Sequence, residues 1–286
     1  MQRFFIILIL FGLFSCSSDR DKASNPVVAV SILPQKYLIS AIADSLVEVV
    51  VMVPPGASPA TWEATPAQMR SLDDALIYFR IGHIGFEKAW MTRIQDINDE
   101  MKVVDLSEGL SLLSIDVKHG DHSHAGTDPH TWMSPSRMES MARKVYSELS
   151  VTWPDQKDFF RANYEKLMQE IKSVNGIMNR QLTPLIGRSF LIFHPSLGYL
   201  AEDYGLRQHA LEYEGKEPSP AHMKEIIDLA RENDIRIIFV QEEFDKRNAS
   251  VVADEIGGKI IQINPLAENW PDEMRSISEK LVKSYQ

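Results

Sequence analysis

The chain of 286 residues has one cysteine, Cys16, so no disulfide can form within it. That excludes the small disulfide-stapled scaffolds of exported proteins and leaves stability to a packed core. Long apolar runs are missing as well. The stretch from Phe4 to Phe14 has eleven residues, against the roughly 20 needed to cross a bilayer, and no later segment approaches that length. There is no basic surplus. Thirty Lys and Arg face 40 Asp and Glu, a net charge of −10, which argues against a nucleic-acid partner. Two hydrolytic signatures are absent, the His-Glu-x-x-His helix and the Gly-x-Ser-x-Gly elbow, so a hydrolase ranks last among the readings and no enzyme is expected.

What is present begins with an export pattern. Arg3 precedes the apolar stretch, which has the length of a signal-peptide core. It ends in Leu13-Phe14-Ser15-Cys16, which resembles a bacterial lipobox. The expectation is a signal peptide over 1–15, a lipid-bearing Cys16 and a polar tether over 16–25. Two acyl chains suffice for stable anchoring where one does not. Loss of residues 1–15 removes one basic residue, Arg3, and leaves 29 basic against 40 acidic residues. The expected location is the cell envelope, on the periplasmic side, anchored to the membrane through lipid.

The remaining residues alternate strand-like and helical runs. Val27–Leu33, Leu46–Val53, Ala75–Ile81 and Lys102–Leu106 read as strands in the first half. Arg188–His194, Gln208–Tyr213, Ile235–Gln241 and Lys259–Asn264 do so in the second. Helical stretches between them imply parallel sheets. One long periodic segment separates the halves: Phe160, Tyr164, Leu167, Ile171, Val174, Met178 and Leu182 step by four and three and share one helix face. The expected fold class is α/β, with two lobes, each a mostly parallel sheet with flanking helices. An N-terminal lobe over 26–153 and a C-terminal lobe over 184–286 are joined by a linker helix over 154–183, with a cleft between the lobes.

The chemistry resides in histidine. His130 lies in Asp128-Pro129-His130-Thr131-Trp132, and His194 ends the apolar run Ser189-Phe190-Leu191-Ile192-Phe193. Imidazole is the commonest neutral metal ligand near pH 7. Ligands of open α/β sheets gather beyond the carboxyl ends of strands, where His194 is expected. A second tract, His119-Gly120-Asp121-His122-Ser123-His124, lies just upstream of His130. Its expected role is a loose accessory loop that gathers metal through His119, His122 and His124.

Five segments in order resemble the substrate-binding lipoproteins of bacterial ABC importers for zinc or manganese. They are Pro54-Pro55-Gly56 through Pro66, Asp128 to Trp132, Phe193 to Leu200 with Asp203 to Leu206, Glu217-Pro218-Ser219-Pro220, and Gly257-Gly258-Lys259 through Asn264-Pro265-Leu266. The resemblance covers nearly all of the chain after the tether. It implies two α/β lobes joined by a rigid helix, capture of a divalent metal outside the inner membrane, and delivery to an ABC permease. It implies no catalysis. A monomer is expected.

The departures fall on the ligands. The resemblance places a ligating histidine where this chain has Ala60, a ligating aspartate where it has Asn264, and commonly a glutamate where it has Gln241. His130 and His194 match the family's ligand positions. Candidates to complete the coordination are water, His83 after the third strand, Glu63 in the first loop, a carbonyl oxygen of Asn264, or the histidine tract. The histidine at 194 and the tract resemble the zinc branch, so Zn2+ is expected ahead of Mn2+. The alternative is a divergent protein that binds a metal chelate or another ligand in the same cleft.

Overall fold

The computed structural model describes residues 25–119, 122–212 and 218–285, with residues 116–119 and 122–125 described in the backbone alone. Cys16, the apolar N-terminal stretch and Glu217 lie outside the described residues.

The first half builds a four-stranded parallel sheet in the order β2-β1-β3-β4, from β1 (Val27–Val30), β2 (Glu48–Val51), β3 (Ala75–Arg80) and β4 (Lys102–Asp105). Helices α1 (Leu33–Ala43), α2 (Pro66–Arg70) and α3 (Gly85–Ile97) connect them. A two-stranded antiparallel hairpin follows, β5 (Ser114–His119) with β6 (His122–Thr127). Then come α4 (Pro135–Thr152) and α5 (Lys157–Leu182). The second half repeats the plan with β7 (Ser189–Ile192), α6 (Gly198–Tyr204), β8 (Arg207–Ala210), α7 (Pro220–Glu232), β9 (Ile237–Gln241), α8 (Arg247–Glu255), β10 (Lys259–Ile263) and α9 (Trp270–Lys283). Its four strands are parallel in the order β10-β9-β7-β8.

Local chemistry sets the helix starts. Ser134 caps α4 by accepting from the Arg137 N–H, with Pro135 at the first helical position. Ser219 caps α7 in the same way from His222 N–H, ahead of Pro220. The strands run shorter than their apolar runs suggest. β7 stops at Ile192, two residues before His194, because the backbone must turn toward Pro195. The hairpin is a further difference: His119 pairs with His122 and Val117 with His124 in its backbone register.

Helix α5 has 26 residues, about 39 Å at 1.5 Å per residue. Its expected stripe is buried at Phe160, Leu167, Ile171, Val174, Met178 and Leu182. Tyr164 stays half-buried and stacks on Tyr146 at 4.7 Å. The helix packs against α1, α4 and α9, so it is a spine of the molecule rather than a bare rod. A single core extends from the first sheet through α5 to Phe190, Ile192, Phe239 and Trp270. Leu191, Phe193, Ile238 and Val240 point to a second core under α7 and α8. That alternation is the signature of parallel strands covered on both faces.

Cross-lobe polar contacts add to the packing. Trp132 Nε1 donates to the Pro265 carbonyl at 2.8 Å, and Trp270 Nε1 to the Trp132 carbonyl at 2.7 Å. Arg137 of α4 bonds Asp203 Oδ1 at 3.0 Å and Glu202 Oε2 at 2.6 Å, and lies 4.3 Å over the Tyr199 ring. The carboxyl ends of β2, β3, β7, β9 and β10 open onto one cavity.

Candidate metal centre

His130 precedes the 3-10 turn Thr131–Met133 that leads into α4. His194 follows β7, and its position is fixed twice over. Phe193 N donates to Phe239 O at 2.7 Å, extending the pairing with β9. The fully buried Gln241 then brackets the next peptide: its Oε1 accepts from His194 N at 3.3 Å, and its Nε2 donates to His194 O at 2.6 Å and to Ser196 Oγ at 2.8 Å. Gln241 suits this place because an amide both donates and accepts, which an ionised carboxylate cannot do.

The two imidazoles meet edge to edge across the cleft, with His130 Nε2 3.3 Å from His194 Nε2. Each Nδ1 is held from behind by a carboxylate. Asp128 Oδ1 lies 2.7 Å from His130 Nδ1, and Glu212 Oε2 lies 2.6 Å from His194 Nδ1. An ionised carboxylate only accepts, so each Nδ1 donates, and the Nε2 of a ring that carries no second proton presents a lone pair. Two lone pairs at that separation repel unless a proton or a metal cation sits between them. This is the carboxylate–histidine arrangement that orients imidazole for a metal and raises its basicity. Burial pushes the His130 pKa down, against the pull of Asp128, and so favours the neutral ring that binds metal.

Both acids are themselves positioned. Asp128 Oδ1 also accepts from His130 N at 2.9 Å, and its backbone oxygen accepts from Tyr199 Oη at 2.7 Å. A Cβ on Gly198 would stand 2.6 Å from Asp128 Oδ2, so only glycine leaves room for the carboxylate there. Glu212 N donates to Phe193 O at 2.9 Å, which continues the β7–β8 pairing past the strand ends and brings its side chain beside His194.

The cavity around the pair has a volume of about 130 Å³ and is walled chiefly by apolar residues, among them Pro59, Ala60, Ile115, Trp132, Phe244 and Leu266. Phe244 stacks on His194 at 5.1 Å. Ala60 sits at the lip, where the first loop crosses the N-terminus of α3. Pro59 O accepts from Phe86 N at 2.8 Å, and a Cβ on Gly85 would meet Ala60 O at 2.4 Å. Glu243, after β9, also lines the cavity, and burial raises its pKa.

The family follows from this geometry and from comparison with known proteins. Residues 28–284 match the family of zinc-uptake complex component A, periplasmic, ZnuA. The chain belongs to that family. A crystal structure of ZnuA superposes with a TM-score of 0.85 at 33% identity, covering 92% of this chain and 100% of that one. The zinc-binding lipoprotein AdcA of Streptococcus pneumoniae is 24% identical over 289 residues, 95% of this chain and 57% of AdcA, so the chain spans little more than half of that relative. The high-affinity zinc uptake system protein ZnuA of Bacillus subtilis is 23% identical over 275 residues, 92% of this chain and 85% of that protein.

His83, Glu63 and Asn264 do not line the cavity around the pair. His83 occupies the turn after β3 at a φ of 67° and does not line the cavity. Glu63 is exposed and does not line it either. Asn264 lines a neighbouring cavity; its Oδ1 accepts from Leu266 N at 3.1 Å and its Nδ2 donates to Glu242 at 3.0 Å. Among the described residues, no group of three or more His, Cys, Asp or Glu side chains is placed to hold a metal. Asp128, Glu212 and Glu243 are absent from the ligand candidates read in the sequence. The Asp-Pro-His order hints at Asp128, whereas Glu212 and Glu243 reach the site only through the strand order of the second sheet.

Proposed function

We propose that this protein captures a divalent metal, zinc, between His130 and His194 and delivers it to the permease of an ABC importer. One observation carries the reading. Two nitrogens bound to tetrahedral zinc at 2.0–2.1 Å stand roughly 3.3–3.4 Å apart. The two Nε2 atoms are 3.3 Å apart. The family is that of a zinc-uptake component, a binding protein rather than an enzyme. A deletion mutant of the ZnuA structure carries zinc. A more distant structural neighbour, from Candidatus Liberibacter asiaticus, is manganese-bound, but a pair of nitrogens favours zinc over manganese.

In this reading Cys16 carries the lipid anchor, 16–25 is the tether, and the protein works as a monomer on the periplasmic side. Its lobes are 26–153 and 184–286, with 154–183 between them. The histidine tract is an accessory collector. Ile115 of β5 lines the cavity, and His119 lies four residues further, about 14 Å along a strand. Metal held by His119, His122 and His124 would be handed to the pair rather than bound with it. The cavity of about 130 Å³ falls short of the roughly 300–1,000 Å³ typical of organic-ligand pockets, which weighs against a chelate as the natural cargo.

Zinc titration of the wild type against a His130→Ala/His194→Ala double variant, with a competing chromophoric chelator, tests the site. One zinc per chain with loss of tight binding in the double variant is expected. Unchanged affinity in that variant would sink the assignment.

A further inference from the structure

We propose that Glu243 completes the metal site, turning its carboxylate onto a cation already held by His130 and His194. It would thereby supply the anionic ligand that the loop carrying Asn264 lacks. The proposal rests on the metal-binding reading above and deepens it.

Placement carries the argument. Among the described residues, Glu243 is the only acid that lines the cavity shared by the two imidazoles. It also lines the adjoining cavity with Glu242 and Asn264, so it stands at the partition between them. Asp128 and Glu212 face the back of the rings and are occupied by Nδ1. Asn264 does not line that cavity, and its oxygen accepts from Leu266 N. No ion pair to the Glu243 carboxylate is found among the described residues, and the cavity wall it shares with the two imidazoles is otherwise chiefly apolar.

Its backbone, by contrast, is held beside His194. Phe244 N donates to Gln241 O at 3.2 Å and closes a turn over residues 241–244. Gln241 grips the His194 peptide, and the Phe244 ring stacks on the imidazole. The turn therefore fixes where residue 243 starts, beside both cavities. Rotation is required, since no three candidate ligands stand together as the side chains now lie.

The chemistry explains why such a ligand is needed. A dication held by two neutral imidazoles against apolar walls keeps its full charge where desolvation is costly. Zinc takes four ligands, and carboxylate oxygen bonds it at about 2.0–2.2 Å. Two nitrogens, one carboxylate and a water would complete the tetrahedron. A ligand reached by rotation is also one that can be withdrawn when the metal leaves.

The test is zinc competition titration of the full chain at neutral pH, with the visible spectrum of the cobalt-loaded protein as a report of coordination geometry. Glu243→Gln is compared with Glu242→Gln, which removes the same charge one residue away and outside the shared cavity. Glu243→Gln is expected to weaken zinc about 10–100-fold, the range for loss of a group that tunes a metal site, and to alter the cobalt spectrum. Glu242→Gln should change neither. Wild-type affinity and spectrum in Glu243→Gln would overturn the proposal, as would equal effects from both variants, which would make the carboxylate a source of field alone. If His130→Ala/His194→Ala also binds normally, the metal site itself is misplaced, an outcome separate from failure of Glu243 alone.

Discussion

Glu212→Gln isolates what the carboxylate behind His194 does. The Glu212 side chain is 9% exposed, and its Oε2 lies 2.6 Å from His194 Nδ1. A glutamine keeps the size and an acceptor oxygen, so the ring stays oriented while the negative charge disappears. A hydrogen bond to a charged group contributes about 1.5–3 kcal/mol. Loss of such a partner weakens metal binding about 10–100-fold, or roughly 1.4–2.8 kcal/mol at 1.4 kcal/mol per decade. The two ranges overlap, so a zinc Kd raised between one and two decades is the expected result. Competition with a chromophoric chelator reads it directly, and thermal melting of the metal-free protein checks that the fold is unchanged. An affinity within twofold of wild type would refute the view that this carboxylate strengthens the imidazole.

Further predictions follow from packing. Gly198→Ala should weaken zinc binding in the same titration, because the new Cβ would meet Asp128 Oδ2 at 2.6 Å and push it from its place behind His130. Arg137→Ala should lower the urea unfolding free energy by roughly 3 kcal/mol, the cost of leaving a buried charge unpaired. The partner left behind is Asp203, 19% exposed; Glu202, 48% exposed, adds little. A loss under 1 kcal/mol would contradict the clamp. Glu87 is buried among Ser31, Ile81 N and Gly82 N, and desolvation pushes its pKa from 4.5 to about 7 despite those bonds. The folded state therefore holds this proton more tightly than the unfolded state. The contribution is fully present below the unfolded value and is lost as pH rises through about 7. Urea midpoints of the wild type should fall across that window, and Glu87→Gln should remove the Glu87 share of the slope.

Much of the fold was legible because its signals are local and repeated. Strand β3 falls within the apolar run Ala75–Ile81, and α5 keeps its buried stripe. The hairpin β5–β6 was not legible. Its first strand offers only Ile115 and Val117 as alternating apolar residues, and the second, His122-Ser123-His124-Ala125-Gly126-Thr127, offers almost none. His130 and His194 could be read from their loop contexts, and Ala60 and Asn264 from a pattern they break. Gln241, Glu212 and Glu243 could not be tied to His194, because they join it through the pairing of β7 with β8 and β9. That pairing is tertiary information, which no spacing along the chain encodes.

X-ray absorption at the zinc edge, on the zinc-loaded protein at neutral pH, tests the central claim most directly. Two imidazole nitrogens at about 2.0–2.1 Å are expected, with their outer-ring scattering lost when His130 and His194 are replaced by alanine in a chain whose His119, His122 and His124 are already alanine. A zinc environment of oxygen alone, or imidazole scattering that survives the double replacement, would contradict the account.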